Sequence, residues 1–151
     1  MNVLGFEEAD RAAERMLLPN RVEIRIPGIP SLLVLKLAAW GDKKRNKDAT
    51  DIELLAAHYG DISQERLLGD EMTTYSDLRF DLVLAGATLL GRDARRVLDG
   101  PKCGESVQTL KSILEPEVNV DGQLRLATRM SASIDRSRQM LEQILRGLRQ
   151  V

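Results

Sequence analysis

Hydrophobic and polar positions change their period several times along this chain, and the changes mark its elements. Over residues 6–16, Phe6, Ala9, Ala12, Ala13 and Met16 recur at steps of three and four, with acids early and Arg11 and Arg15 late, which predicts an amphipathic helix matched to its own dipole. Pro19-Asn20 breaks it. Val22, Ile24 and Ile26 then alternate with Arg21, Glu23 and Arg25, the period of a strand with one buried face and the one strand this pattern supports. A lone strand leaves its ladder groups unpaired, so a partner is expected from residues 1–4, a second subunit, or sequence outside this chain. Pro27-Gly28 and Pro30 mark a turn, Ser31 is placed to cap a helix over 32–40, and Gly41 to stop it. That helix is apolar around most of its circumference, and Lys36 is its one charge. Asp42 to Asn46 form a polar loop, Asn46 capping a second helix whose apolar side is Ile52, Leu54, Leu55 and Ala56, ended by Tyr59-Gly60.

The remainder reads as helical. Residues 62–68 suit a short helix closed by Gly69, and 77–90 a longer one that Gly91 interrupts before further turns over 92–98. Gly100-Pro101 ends these turns. A helix over 106–114 is stopped by Pro116, and 118–122 is loop or a brief extended piece. From residue 123 onward, Ala127, Met130, Ile134, Ser137, Leu141, Ile144, Leu148 and Val151 alternate steps of three and four, a coiled-coil-like seam with one polar member. Such a seam folds back on its own domain or mates with a partner, including a second copy. The expected fold is thus mainly α with a small β element: a helical hairpin within residues 1–60, then a helical bundle over 61–151, packed as one unit.

Composition narrows the function. With 43% apolar residues but only 3% aromatic, the core must come from Leu, Ile, Val, Ala and Met, which suits helix packing. A single Cys103 and a single His58 exclude an internal disulfide and any soft metal-ligand motif. The first residues lack the basic start and apolar run of a signal sequence, and the most apolar stretch, 29–40, is too short to span a bilayer, so a reducing cytoplasm without a membrane role is expected. Net charge is −1, which leaves nucleic-acid binding to a local patch at best.

One constellation could carry chemistry. If the two helices of the hairpin run antiparallel, Lys36 comes level with Asp51, and Asp48 neighbours Asp51 on the same face. A buried lysine that finds carboxylates is a structural clasp. Alternatively, an ammonium ion held on rigid helices beside Lys43, Lys44, Arg45 and Lys47 is placed to receive a polyphosphate. A third use of the 43–47 loop is direct RNA or DNA binding, with the steep salt dependence that implies.

Residues 27–59 resemble the second part of nucleotidyltransferases related to the AbiEii toxin group. The shared pattern is a leucine-rich K-L-x-A-W helix, a basic turn and a K/R-D-x-x-D-[LI] helix, here Lys36-Leu37-Ala38-Ala39-Trp40, then Lys43-Lys44-Arg45, then Lys47-Asp48-Ala49-Thr50-Asp51-Ile52. The opening MNVLGFEEA and the later LAGATLLGRDARRVL are also similar to that family. The resemblance implies transfer of a nucleoside monophosphate from a nucleoside triphosphate, with Mg²⁺ as cofactor, Lys36 on the phosphates, Asp48 or Asp51 orienting it, and Lys43, Lys44, Arg45 and Lys47 assisting. The family's Gly-Ser turn and Asp-x-Asp pair, which clamp the metal ions, do not occur in this sequence. Asp51-Ile52-Glu53 is no substitute, since positions i and i+2 of a helix point apart. The expectation is therefore a C-terminal portion of such an enzyme, silent alone and working with a catalytic half. The alternative is a noncatalytic helical interaction module of the toxin–antitoxin kind, or one that associates with itself.

Overall fold

In a computed structural model, which describes residues 4–100, 103–119 and 121–150, the chain is mainly helical with one two-stranded antiparallel hairpin near its N-terminus. The elements run α1 (Phe6–Arg11), β1 (Glu14–Leu17), β2 (Glu23–Ile26), α2 (Ile29–Lys43), α3 (Asn46–Ile62), α4 (Gln64–Leu68), α5 (Met72–Asp77), α6 (Leu82–Val97), α7 (Cys103–Val118) and α8 (Ile134–Arg149), with a 3₁₀ turn over Ala127–Arg129 before α8.

The expected first helix stops at Arg11, and its second half becomes β1. Here lies the missing partner of the strand over 22–26: β1 pairs with β2 in the register Glu14↔Ile26, Met16↔Ile24 and Leu17↔Glu23, so the ladder closes within the chain. Residues 1–3, also considered for that role, lie outside the described residues. The reversal is local chemistry. Asn20 Oδ1 accepts from the Val22 amide at 3.2 Å, and Arg21 takes a positive φ of 63°, which lets the chain fold back. Neither face of the hairpin is covered: β1 is exposed throughout, and Met16, Leu17, Val22 and Ile26 all lie at the surface. The alternation in β2 is real, but no core lies beneath it.

The helical body packs around α6. Leu33, Val34, Leu37, Ile52, Ala56, Leu90, Leu110, Leu141, Ile144 and Leu148, from α2, α3, α6, α7 and α8, are fully buried in one contiguous core. The apolar seam predicted beyond residue 123 begins as a helix only at Ile134. Ser137, Leu141, Ile144 and Leu148 face inward against the chain's own helices, while Ile134 is exposed and Val151 lies outside the described residues.

Glycines set the closeness of two helix crossings. Where α6 meets α8, a Cβ on Gly91 would fall 2.9 Å from the carbonyl carbon of Ile144, and one on Gly147 would fall 2.6 Å from the Arg92 nitrogen. At the α3–α6 crossing, Gly86 approaches Gly60 so closely that a Cβ would touch its backbone. Gly60 and Gly91, expected to end or interrupt helices, lie inside α3 and α6 as contact points. Gly41 is likewise within α2, which runs on until Lys44 caps it in the left-handed conformation. Gly28 and Arg45, not Ser31 and Asn46, hold the N-cap positions of α2 and α3. Pro116 does not stop α7 but occupies its last turn, where its missing amide costs one bond near an end that frays anyway.

Candidate functional site

α2 and α3 form the expected hairpin, turning at Lys44 and Arg45. Lys36 is the one lysine in the buried body of α2, so its ammonium must find a carboxylate. It lies 2.5 Å from Asp51 Oδ2 and 3.4 Å from Asp48 Oδ1. Asp48 is wholly buried and has a second cation: Arg45 donates to it from Nε at 2.9 Å and from a terminal nitrogen at 3.4 Å. The i,i+3 spacing of Arg45 and Asp48 at the start of α3 makes that fork local. The hydrogen bond to Asp51 holds the Lys36 pKa above its ordinary 10.5, against the opposite pull of partial burial.

This arrangement is charge-balanced, with two cations against two carboxylates. Both acids are turned to Lys36 and Arg45, and among the described residues no three His, Cys, Asp or Glu side chains gather to hold a metal ion. The residues present do not fit a Mg²⁺ clamp. The side chain of Lys36 keeps 28% of its accessible surface, so its ammonium is partly open on one side.

The other basic residues are dispersed over the turn. Lys43, Lys44 and Lys47 are exposed. Lys44 donates to the Gly41 carbonyl at 3.4 Å, while Lys43 and Lys47 have no ion-pair partner among the described residues. Lys43 and Arg45 border a cavity of about 160 Å³ with Phe6, Leu35, Ala38 and Asp42, smaller than the roughly 300 Å³ at which small-molecule pockets begin. The five cations of this region outnumber Asp42, Asp48 and Asp51, leaving a local positive field beside a neutralised ammonium ion.

Three polar junctions were not anticipated from sequence. Asp93, buried on α6, accepts from the Tyr59 hydroxyl at 2.7 Å, from both ends of the Arg66 fork at 2.7 and 3.2 Å, and from Arg96 at 2.9 Å, so it ties α3 and α4 to α6. Burial pushes the Asp93 carboxyl up, but Arg66 and Tyr59 together outweigh it and leave the pKa below its usual value. Tyr59 is pushed well above its usual range by burial and by the same carboxylate. Glu117, buried on α7, accepts from the amides of Leu126 at 2.9 Å and Ala127 at 3.4 Å. Desolvation nevertheless raises its pKa. Nearer the hairpin, Glu53 accepts from the amides of Ser131 and Ala132 at 2.6 and 2.7 Å, tying the approach of α8 to α3.

Compared with known proteins, the chain shows no significant match to any family model, curated protein or solved structure. None of these comparisons supports the AbiEii family expected from the sequence motifs. No helix among the described residues is long and apolar enough to cross a membrane.

Proposed function

We propose that the chain is the helical portion of a nucleotidyltransferase-like protein of the AbiEii-related kind, in which Lys36 and the α2–α3 turn receive the phosphates of a nucleoside triphosphate. The observation that carries this reading is the Lys36 ammonium itself, fixed between Asp51 and Asp48 on two rigid helices, partly open, and flanked by exposed Lys43 and Lys47. Positioning by two carboxylates spares the lysine the rotamer entropy that a phosphate contact would otherwise cost. Alone, the chain binds nucleotide weakly and transfers none, because its sequence lacks the family's Asp-x-Asp pair and no carboxylates gather among the described residues to clamp a metal ion. The exposed β1–β2 hairpin supports the same reading. Isolated two-stranded hairpins are marginal in water, and one that displays Met16, Leu17, Val22 and Ile26 suits a sheet continued by a strand-bearing catalytic segment.

A noncatalytic helical interaction module is the second reading, and the charge balance within Lys36, Arg45, Asp48 and Asp51 favours it. Such a cluster is already satisfied as a clasp between α2 and α3.

Calorimetric titration with ATP at low ionic strength separates the two. Weak saturable binding is expected, reduced severalfold when the exposed Lys43 and Lys47 are both changed to Ala and abolished by Lys36→Met while helical signal is retained. Absence of binding, or binding that Lys36→Met leaves intact, would remove the nucleotide reading and leave the clasp.

A further inference from the structure

A second basic feature lies apart from the Lys36 cluster, where the end of α6 meets the start of α7. Arg92, Arg95 and Arg96 line a cavity of about 240 Å³ together with Asp99, Cys103 and Gln150. The three guanidinium groups are held differently. Arg92 is fixed on one side by Gln150 Oε1, which accepts from two of its nitrogens at 3.1 and 2.7 Å, and on the other by Glu71. Arg96 leans on Asp93 and keeps 64% of its side-chain surface. Arg95 is half-buried, and its guanidinium has neither an ion pair nor a hydrogen bond among the described residues. Asp99 shares the cavity but is within 4.0 Å of none of the three as an ion pair.

An arginine cannot shed its charge by deprotonation, so a half-buried guanidinium without a carboxylate is compensated by water or by a bound anion. The cavity offers the unpaired Arg95 fork beside two further arginines whose forks are held by Glu71, Gln150 and Asp93, a lining that suits a tetrahedral oxyanion better than a carboxylate, which a single fork satisfies. The 16-residue α7 opens at Cys103 on the cavity's rim and adds the positive end of its dipole. At about 240 Å³ the space falls below that of whole-ligand pockets and admits a phosphate with its nearest substituent.

We infer that this cavity is a binding site for a single phosphate group, free or as a small monoester, with Arg95 as its principal ligand and Arg92 and Arg96 as fixed supports. The inference is independent of the nucleotide reading, since the two sites share no residue.

The test is titration with inorganic phosphate and with phenyl phosphate at constant ionic strength, on the wild-type chain, Arg95→Ala, Arg95→Gln and, as a charge-loss control on the exposed hairpin, Arg15→Gln. Arg95→Gln keeps the packing of the side-chain stem, so a loss there cannot be blamed on a void. The expected result is saturable binding that both Arg95 variants weaken at least tenfold and that Arg15→Gln leaves unchanged. Tighter binding of phenyl phosphate identifies a monoester as the source, and equal binding identifies free phosphate. Alkylation of Cys103 by iodoacetamide gives a second readout, slowed by phosphate in the wild type and not in Arg95→Gln. No saturable binding by the wild type, or equal affinity in the Arg95 variants, would overturn the site.

Discussion

Replacing Gly91 with Ala sets two opposing effects against each other, and the structure decides between them. In the interior of a helix Ala is favoured over Gly by about 1 kcal/mol, so α6 considered alone predicts a gain. At the crossing with α8, however, the added Cβ would stand 2.9 Å from the carbonyl carbon and 3.0 Å from the Cα of Ile144, with the carbonyl oxygen nearer still. These are backbone atoms, which no rotamer change can move. The helices must part by roughly 1 Å, enough to forfeit a quarter to a half of each dispersion contact along the seam. Leu141, Ile144 and Leu148 of α8 are all fully buried there. If burial of each is worth about 1.5–3 kcal/mol, losing a quarter to a half of all three amounts to roughly 1–4.5 kcal/mol, with a midpoint of about 3 kcal/mol. After the helix-propensity gain is subtracted, the net is a destabilisation centred on about 2 kcal/mol. Urea unfolding followed by circular dichroism measures it directly. Gly104→Ala is the matched control, because a Cβ there meets nothing within 4 Å; it should be neutral or slightly stabilising. The double variant Gly91→Ala with Gly147→Ala should cost less than the two singles together, since one separation of the helices relieves both clashes. A Gly91→Ala protein as stable as the wild type would refute the close crossing.

Three further outcomes follow from buried polar groups. Ser137 Oγ is buried in the α8 seam without a hydrogen-bond partner among the described residues, so Ser137→Ala should raise stability by about 1 kcal/mol in the same urea assay. Glu117 has a raised folded pKa because burial disfavours its charge, so its ionisation opposes folding above the ordinary value of 4.5; Glu117→Gln keeps a carbonyl for the Leu126 and Ala127 amides and should be more stable than the wild type at pH 7, with the advantage vanishing below pH 4.5. Asp93 behaves oppositely: its folded pKa is depressed, burial being outweighed by the Arg66 and Tyr59 hydrogen bonds, so the stability it contributes is present above 3.8 and lost as pH falls through and below that value, and Asp93→Asn should flatten the acid limb of the stability–pH curve.

The parts of this fold legible in the sequence are those fixed by local pattern. The apolar circumference of α2, the basic turn and the acids opening α3 were enough to bring Lys36 level with Asp51, because a short turn between helices leaves only one antiparallel register. The parts that were not legible depend on what lies across a contact. A glycine in a helical pattern reads as a stop, and nothing in the sequence around Gly60 or Gly91 tells a terminus from a close crossing. β1 carries no alternation, since neither of its faces is covered, and its pairing is dictated by the 18–22 turn. Asp93 looked like one acid among arginines; the Tyr59 and Arg66 bonds that make it a junction cross 34 and 27 residues of sequence. The Arg95 cavity was hidden for the same reason, because an unpaired arginine is recognised only once its neighbours' partners are known.

The most direct measurement for the nucleotide reading watches the Lys36 ammonium itself, by nitrogen-15 NMR of the lysine Nζ signals during titration with ATP. A lysine this well held, with its pKa raised by Asp51, should exchange protons slowly enough to give its own signal at mildly acidic pH. The account predicts that this signal shifts saturably with nucleotide. If Lys36 stays fixed while ATP is added to saturation, its carboxylates are its only partners, and the cluster is a clasp between two helices.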